Sequence, residues 1–317
     1  MQIVFYDEVV IIYILIPVMK GENNMLRRLK GIDILIIFII ILLIAITTVG
    51  LCSFKTDKSY TITNQYGDNV QIYGNGIYAH DSYFKALTNI GSDFTILFLV
   101  VPMLVIALIG EIKRRTIKSK LFLASVVAAV LYYAASIAFG VIYNSLVLMY
   151  IALFSSSFFA IIILVKSINT FELRKMQKWI IPSKGLNVFL VISGVSLFVA
   201  WLPDIITSIM KGRSLALIEI YTTEITYVLD MGIISPMIFI CLFLLKKKDG
   251  LGDVLLAIIL KMCEIIGVMI SVVTVFQVIG GIVLPIPVLV TKGGIFVMLA
   301  AFAAYFNFKL YKNIKTT

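Results

Sequence analysis

Apolar runs long enough to cross a bilayer alternate with short polar segments along almost the whole chain. A helix needs about 20 apolar residues to traverse a hydrocarbon core roughly 30 Å thick. Runs of that kind fall at about 33–53, 93–110, 121–143, 145–165, 186–203, 225–245, 254–277 and 288–308. The pattern predicts an all-α transmembrane helical bundle of about eight spans. The spans leave no room for a second soluble domain, so 25–317 reads as a single membrane domain.

Residues 1–24 stand apart. The apolar run Val9–Met19 is too short to span, and Pro17 interrupts it. Met25-Leu-Arg-Arg-Leu-Lys30 has the basic flank of a fresh N-terminus, and Lys20-Gly-Glu22 suits codons resembling a ribosome-binding site. The expectation is a non-native extension with translation starting at Met25; a short interfacial segment is the alternative. The first span is longer than a signal-peptide core, and Val49-Gly-Leu-Cys52 lacks the small residue that precedes a lipoprotein cysteine. It reads as uncleaved.

The polar segments carry the finer predictions. Residues 54–92 form one outer loop of roughly 40 residues. β-Branched and aromatic residues flank Tyr66-Gly-Asp-Asn69, which predicts a β-hairpin. Ile77–Leu87 suits a short interfacial helix, with Asp81-Ser82 as its cap, and Asp93 then opens and caps the second span. Asn144 marks a tight turn between the third and fourth spans. Ala124/Ala128, Ser125/Ala129 and Ala134/Ala138 form a small-residue packing seam on the third. Residues 278–292 are too apolar for a free loop, and read as a re-entrant turn or an irregular start to the last span.

Composition agrees: 61% of the residues are hydrophobic and the mean hydropathy is +1.06. Charge adds orientation. Nineteen of the 27 Lys and Arg fall in segments on one side: Arg27, Arg28 and Lys30; Lys113, Arg114, Arg115, Lys118 and Lys120; Lys166, Arg174, Lys175, Lys178 and Lys184; Lys246–Lys248; and Lys309, Lys312 and Lys315. Lys55, Lys58, Lys85, Lys211, Arg213 and Lys292 fall on the other. Short cytoplasmic loops hold positive charge, so both termini are expected inside. The net charge of +10 is therefore topological and implies no nucleic-acid partner. The excess of Lys over Arg and the abundant Ile fit an AT-rich bacterial genome, and hence a bacterial cytoplasmic membrane. Three Cys in apolar runs and a single His, His80, offer no disulfide framework, metal site or cofactor ligand.

Ionisable residues within spans are costly and mark candidate sites. Lys261 and Glu264 stand three apart on one face of the seventh span, near the midplane. They suit either a proton- or cation-binding site or a structural ion pair. Asp230 precedes Pro236 in the sixth span, where a kink is expected, as in transporter sites on broken helices. Its blander reading is an interface carboxylate near a helix N-terminus. Asp81, Asp93 and Asp204, with Glu219 and Glu224, make a weaker outer-face set that would suit general-base chemistry on a lipid-linked substrate. No catalytic residue is identifiable. Tyr132, Tyr133, Ser155–Ser157 and Trp201 read as packing, interhelical hydrogen bonding and interface anchoring.

The stretch Tyr73-Gly-Asn-Gly-Ile-Tyr-Ala-His-Asp-Ser-Tyr-Phe-Lys-Ala86, Gly91-Ser-Asp-Phe94 and Pro102 resembles a family of bacterial multi-pass membrane proteins. So do Phe139-Gly-Val-Ile-Tyr-Asn-Ser145, Tyr150–Phe154 and Thr226-Tyr-Val-Leu-Asp230 before Pro236. The resemblance implies an eight-span fold and no established activity. Three readings follow, in this order: a permease with a midplane Lys–Glu site and a small-molecule or ion substrate, a non-catalytic sensor or accessory subunit, and an outer-face enzyme. The lipid bilayer is the one partner that all three share; oligomeric state is not legible.

Overall fold

The computed structural model describes residues 30–176, 183–215, 217–283 and 293–314. Among these, eight helices are long and apolar enough to cross a membrane. They are α1 (Gly31–Cys52), α2 (Tyr83–Arg114), α3 (Ile117–Gly140), α4 (Val147–Ser167), α6 (Lys184–Lys211), α7 (Ile225–Lys246), α8 (Gly250–Ile279) and α9 (Ile295–Asn313). A short helix, α5 (Thr170–Met176), lies between α4 and α6. The fold is an all-α multi-pass bundle. The extension, the Met25 start and the apolar connection across 284–292 lie outside the described residues.

Lipid tails are as apolar as Leu, so helices in a bilayer associate through close packing and polar contacts. α3 and α8 form the centre. The most apolar stretch of α3 is 72% buried, against 28% for α4 and 22% for α9. α8 packs on α2, α3, α7 and α9. On α3, Ala124, Ser125, Ala128, Ala129 and Ala134 are buried, as the seam requires. α8 uses the same device: a Cβ added at Gly91 would stand 2.6 Å from Val273 Cα, and one at Gly267 2.2 Å from Ala300 Cβ.

The outer hairpin forms as expected. β1 (Tyr60–Thr63) pairs antiparallel with β2 (Asn69–Ile72), Thr63 opposite Asn69. Asn64 Oδ1 closes the turn by accepting from the N–H groups of Tyr66 and Asp68, both at 2.9 Å. Gly67, at φ 87°, supplies the left-handed residue. Val70 and Ile72 face inward, while β1 is exposed throughout.

Three expectations change. First, the interfacial helix and the second span are one rod, α2, of 32 residues. Ser82 caps it, its hydroxyl accepting from Lys85 N–H. Thr88 and Ser92 do not interrupt it, because each hydroxyl bonds back to the carbonyl four residues earlier, at 2.9 Å. Asp93 is therefore well inside a helix and caps nothing. Second, α6 runs through Pro203 to Lys211 rather than ending there. Third, the kink expected at Pro236 is a π-turn over Asp230–Ile234, closed by Ser235 N–H on Asp230 O. A second π-turn, Ile96–Val100, closes through Val101 N–H on Ile96 O and precedes Pro102. Proline has no N–H to donate and its ring crowds the carbonyl four residues back. One wider turn absorbs that misfit without breaking the helix.

Candidate functional site

Three buried carboxylates lie toward the outer end of the bundle: Asp81, Asp93 and Asp230. Among the described residues none forms an ion pair with Lys or Arg. Their partners are neutral donors, mostly aromatic.

Asp230 stands at the start of the α7 π-turn. Its Oδ1 accepts from Tyr132 Oη on α3 at 2.9 Å, and its Oδ2 from Trp201 Nε1 on α6 at 2.8 Å. Trp201 stacks on Tyr227 with ring centroids 4.8 Å apart, and Tyr227 Oη donates to Asp204 at 3.0 Å. Asp204 and Asp230 are thus joined through one aromatic pair. Below this pair lies a cavity of about 40 Å³, lined by Asp230, Ser193, Ser196, Cys263 and apolar side chains of α6, α7, α8 and α9. Ser193 Oγ is buried with no hydrogen-bond partner. From α7 the lining residues are Asp230, Ile234 and Ile238. Met231 and Gly232, whose carbonyls lie near the proline, are not among the residues that line it.

Asp93 is fully buried. Tyr78 Oη donates to its Oδ2 at 2.7 Å and Tyr133 Oη to its Oδ1 at 2.5 Å. Gly50 of α1 makes the room: a Cβ there would meet Asp93 Oδ2 at 1.8 Å. Asp81 precedes α2. Its Oδ1 accepts from Ile142 N–H at 3.0 Å and from Tyr221 Oη at 2.8 Å, while its Oδ2 is buried without a partner. Ser82, not Asp81, caps α2. Burial pushes the Asp81 carboxyl up to about 6, against the pull of these two donors and Lys85. Burial likewise raises Glu219, which accepts from the Ser82 hydroxyl. Lys85 pairs with Glu224 at 2.7 Å. The hairpin closes over this cluster, Asn64 Nδ2 donating to Glu219 O at 2.7 Å.

Lys261 and Glu264 do pair, at 2.7 Å, and Asn307 Nδ2 of α9 donates to the same carboxylate oxygen at 2.8 Å. Lys261 also lies over the Phe122 ring, 5.5 Å from its centroid. Neither residue lines the cavity, and their partner set shares no residue with that of Asp230. On the inner side, Arg115 holds Asp33 and Arg174 holds Asp253 at 2.9 Å. These Arg–carboxylate clamps tie α2 to α1 and α5 to α8.

Sequence reasoning missed the aromatic donors. Tyr132, Tyr133 and Trp201, expected to pack or anchor, hold carboxylates instead. The signal was a pair of adjacent phenols in an otherwise apolar span, which obliges each hydroxyl to find a partner. Ser156 and Ser157, expected to bond between helices, bond to carbonyls of their own helix at 2.6 and 2.8 Å. No protein-family model, curated protein or solved structure matches the chain. The functional reading rests on the geometry.

Proposed function

We propose that this multi-pass membrane protein is permease-like and binds a proton or small cation at Asp230, in what the charge bias and composition suggest is a bacterial cytoplasmic membrane. One observation carries the reading: a membrane-embedded carboxylate that has no counter-cation among the described residues borders a cavity lined also by Ser193, whose buried Oγ has no hydrogen-bond partner among them. An ionisable group in a span is expensive and is retained where it does work. Size sets the occupant. A water needs about 10–15 Å³ of such volume. The roughly 40 Å³ here has room for a few waters or one small ion in this conformation, between mostly apolar walls with Asp230, Ser193 and Ser196 as the polar groups. In this reading the Lys261–Glu264 pair, first choice from the sequence, orders α8 against α9 and is not the site.

The sensor or accessory reading draws on a different feature. β1 is exposed along its whole length and, among the described residues, pairs on one edge only, with β2. The enzyme reading has less support, since Asp81 and Asp93 are closed off from any substrate.

The test is thermal unfolding of purified protein against pH and Na⁺, K⁺ and Li⁺, wild type beside Asp230→Asn. A bound ion at about 100 times its dissociation constant adds roughly 2.7 kcal/mol. Stabilisation of the wild type alone supports the site. An equal response in both proteins refutes it.

A further inference from the structure

We propose that α5 and the turn joining α7 to α8 form a binding site for the phosphate of an anionic phospholipid. This site is independent of what Asp230 binds.

α5 is short, yet it is fixed in place. Leu173 is fully buried, and Arg174 Nη1 donates to both oxygens of the buried Asp253 on α8, at 2.9 and 3.1 Å. Gly250 lets α5 approach: a Cβ there would stand 2.1 Å from Thr170 O. The α7–α8 turn is fixed as well. The N–H groups of Lys247, Lys248 and Asp249 donate to the carbonyls of Phe243, Leu245 and Leu244, at 3.1, 3.1 and 3.0 Å. Lys248 fills the left-handed position, at φ 58°, where glycine would fit with less strain.

Both elements present the same pair of side chains. Phe171 and Lys175 on α5, and Phe243 and Lys247 at the end of α7, each stand four residues apart. The ammonium groups lie 4.2 and 4.4 Å from the ring centroids. The rings are 68% and 56% exposed. An exposed ring beneath a lysine suits the boundary between acyl chains and headgroups. The ring sits in the apolar layer, and the lysine stem carries its charge up to the phosphates. Phe243 belongs to a membrane-spanning helix, so lipid is what covers it.

Charge selects the lipid. Lys175 and Lys246–Lys248 are exposed, and none forms an ion pair among the described residues. The neighbouring carboxylates are Glu172, which is exposed, and Asp249, which caps α8 by accepting from Leu251 N–H at 2.8 Å. The lysines outnumber them, so a headgroup with net negative charge gains where a zwitterionic one does not. The one-sided charge bias of the chain explains why lysines are here. It does not explain two lysines over exposed rings on elements clamped to each other by Arg174 and Gly250.

Native mass spectrometry of the full chain, with phosphatidylglycerol or zwitterionic phosphatidylcholine added to the detergent, tests the site. Wild type should retain phosphatidylglycerol in preference. Lys175→Gln with Lys247→Gln should weaken retention about fivefold per lysine, roughly 25-fold together. Lys175→Arg with Lys247→Arg should keep it, which separates lost charge from lost folding. Lys113→Gln with Arg114→Gln removes equal charge from another basic loop and should bind as wild type does, as should Asp230→Asn. Equal retention of the two lipids, wild-type retention in the Lys175→Gln and Lys247→Gln protein, or an equal loss in the Lys113→Gln and Arg114→Gln control overturns the proposal. Complete displacement of the lipid by excess inorganic phosphate also overturns it, by making free phosphate the ligand.

Discussion

Tyr132 and Tyr133 are adjacent on α3, yet they serve different carboxylates: Tyr132 donates to Asp230 on α7 and Tyr133 to Asp93 on α2. Successive residues on a helix point about 100° apart. One central helix therefore holds two carboxylates on two neighbours and fixes their spacing. The phenols link the packing of the bundle to the chemistry of its acidic groups.

Tyr133→Phe should cost more stability than Tyr132→Phe. Asp93 is the more deeply buried carboxylate, and only Tyr78 would remain to it. Leaving a buried polar group unsatisfied costs about 1–3 kcal/mol. Unfolding in mild detergent measures the loss. Combining Tyr133→Phe with Asp93→Asn should cost less than the sum of the two, since the pair is one interaction; strict additivity would show that the contact carries no energy.

Gly50→Ala should be among the most damaging single methyl additions. The new Cβ would stand 1.8 Å from Asp93 Oδ2, so the fully buried carboxylate must shift and the Tyr78 hydrogen bond to that oxygen is disturbed. Gly31→Ala, whose Cβ meets nothing within 4 Å, is the control. Equal stability of the two variants would show that Asp93 is not held as described.

Asp81 makes stability pH-dependent in a defined window. Its folded carboxyl titrates near 6, above the ordinary 3.8, so the folded state binds the proton more tightly than the unfolded chain. The resulting stabilisation is fully present below about pH 4 and is lost as pH rises through 6. At 1.36 kcal/mol per unit the swing is about 3 kcal/mol. Asp81→Asn should flatten the stability profile between pH 4 and pH 6; a profile as steep as wild type's would assign the titration to another group, such as Glu219.

The Lys261–Glu264 pair should behave as structure. Removing one partner of a buried pair leaves an uncompensated charge and costs about 3–5 kcal/mol, while an apolar replacement of both is often neutral. Glu264→Gln alone should therefore destabilise more than Lys261→Met with Glu264→Gln. A double variant that is stable but has lost ion binding would return the site to this pair.

The spans were legible because bilayer thickness imposes run lengths that few other constraints imitate. The hairpin was legible because Asn64 to Asn69 supply turn chemistry locally. The continuity of α2 was hidden, because Thr88 and Ser92 look like a polar break until their hydroxyls are seen bonding within the helix. Asp230 and Lys261–Glu264 stood out as charges in apolar runs. What joins them to neighbours did not, since Tyr133 is 40 residues from Asp93 and Tyr221 is 140 from Asp81. One sequence shows that a buried phenol needs an acceptor, but not which acceptor the packing supplies.

The most direct measurement is flux in proteoliposomes carrying an entrapped pH indicator or cation dye, under an imposed gradient. The account predicts that wild-type protein dissipates a proton or monovalent-cation gradient and that Asp230→Asn, folded and inserted, does not. Wild-type vesicles no leakier than empty ones for every ion tried, or equal flux through Asp230→Asn, would contradict it.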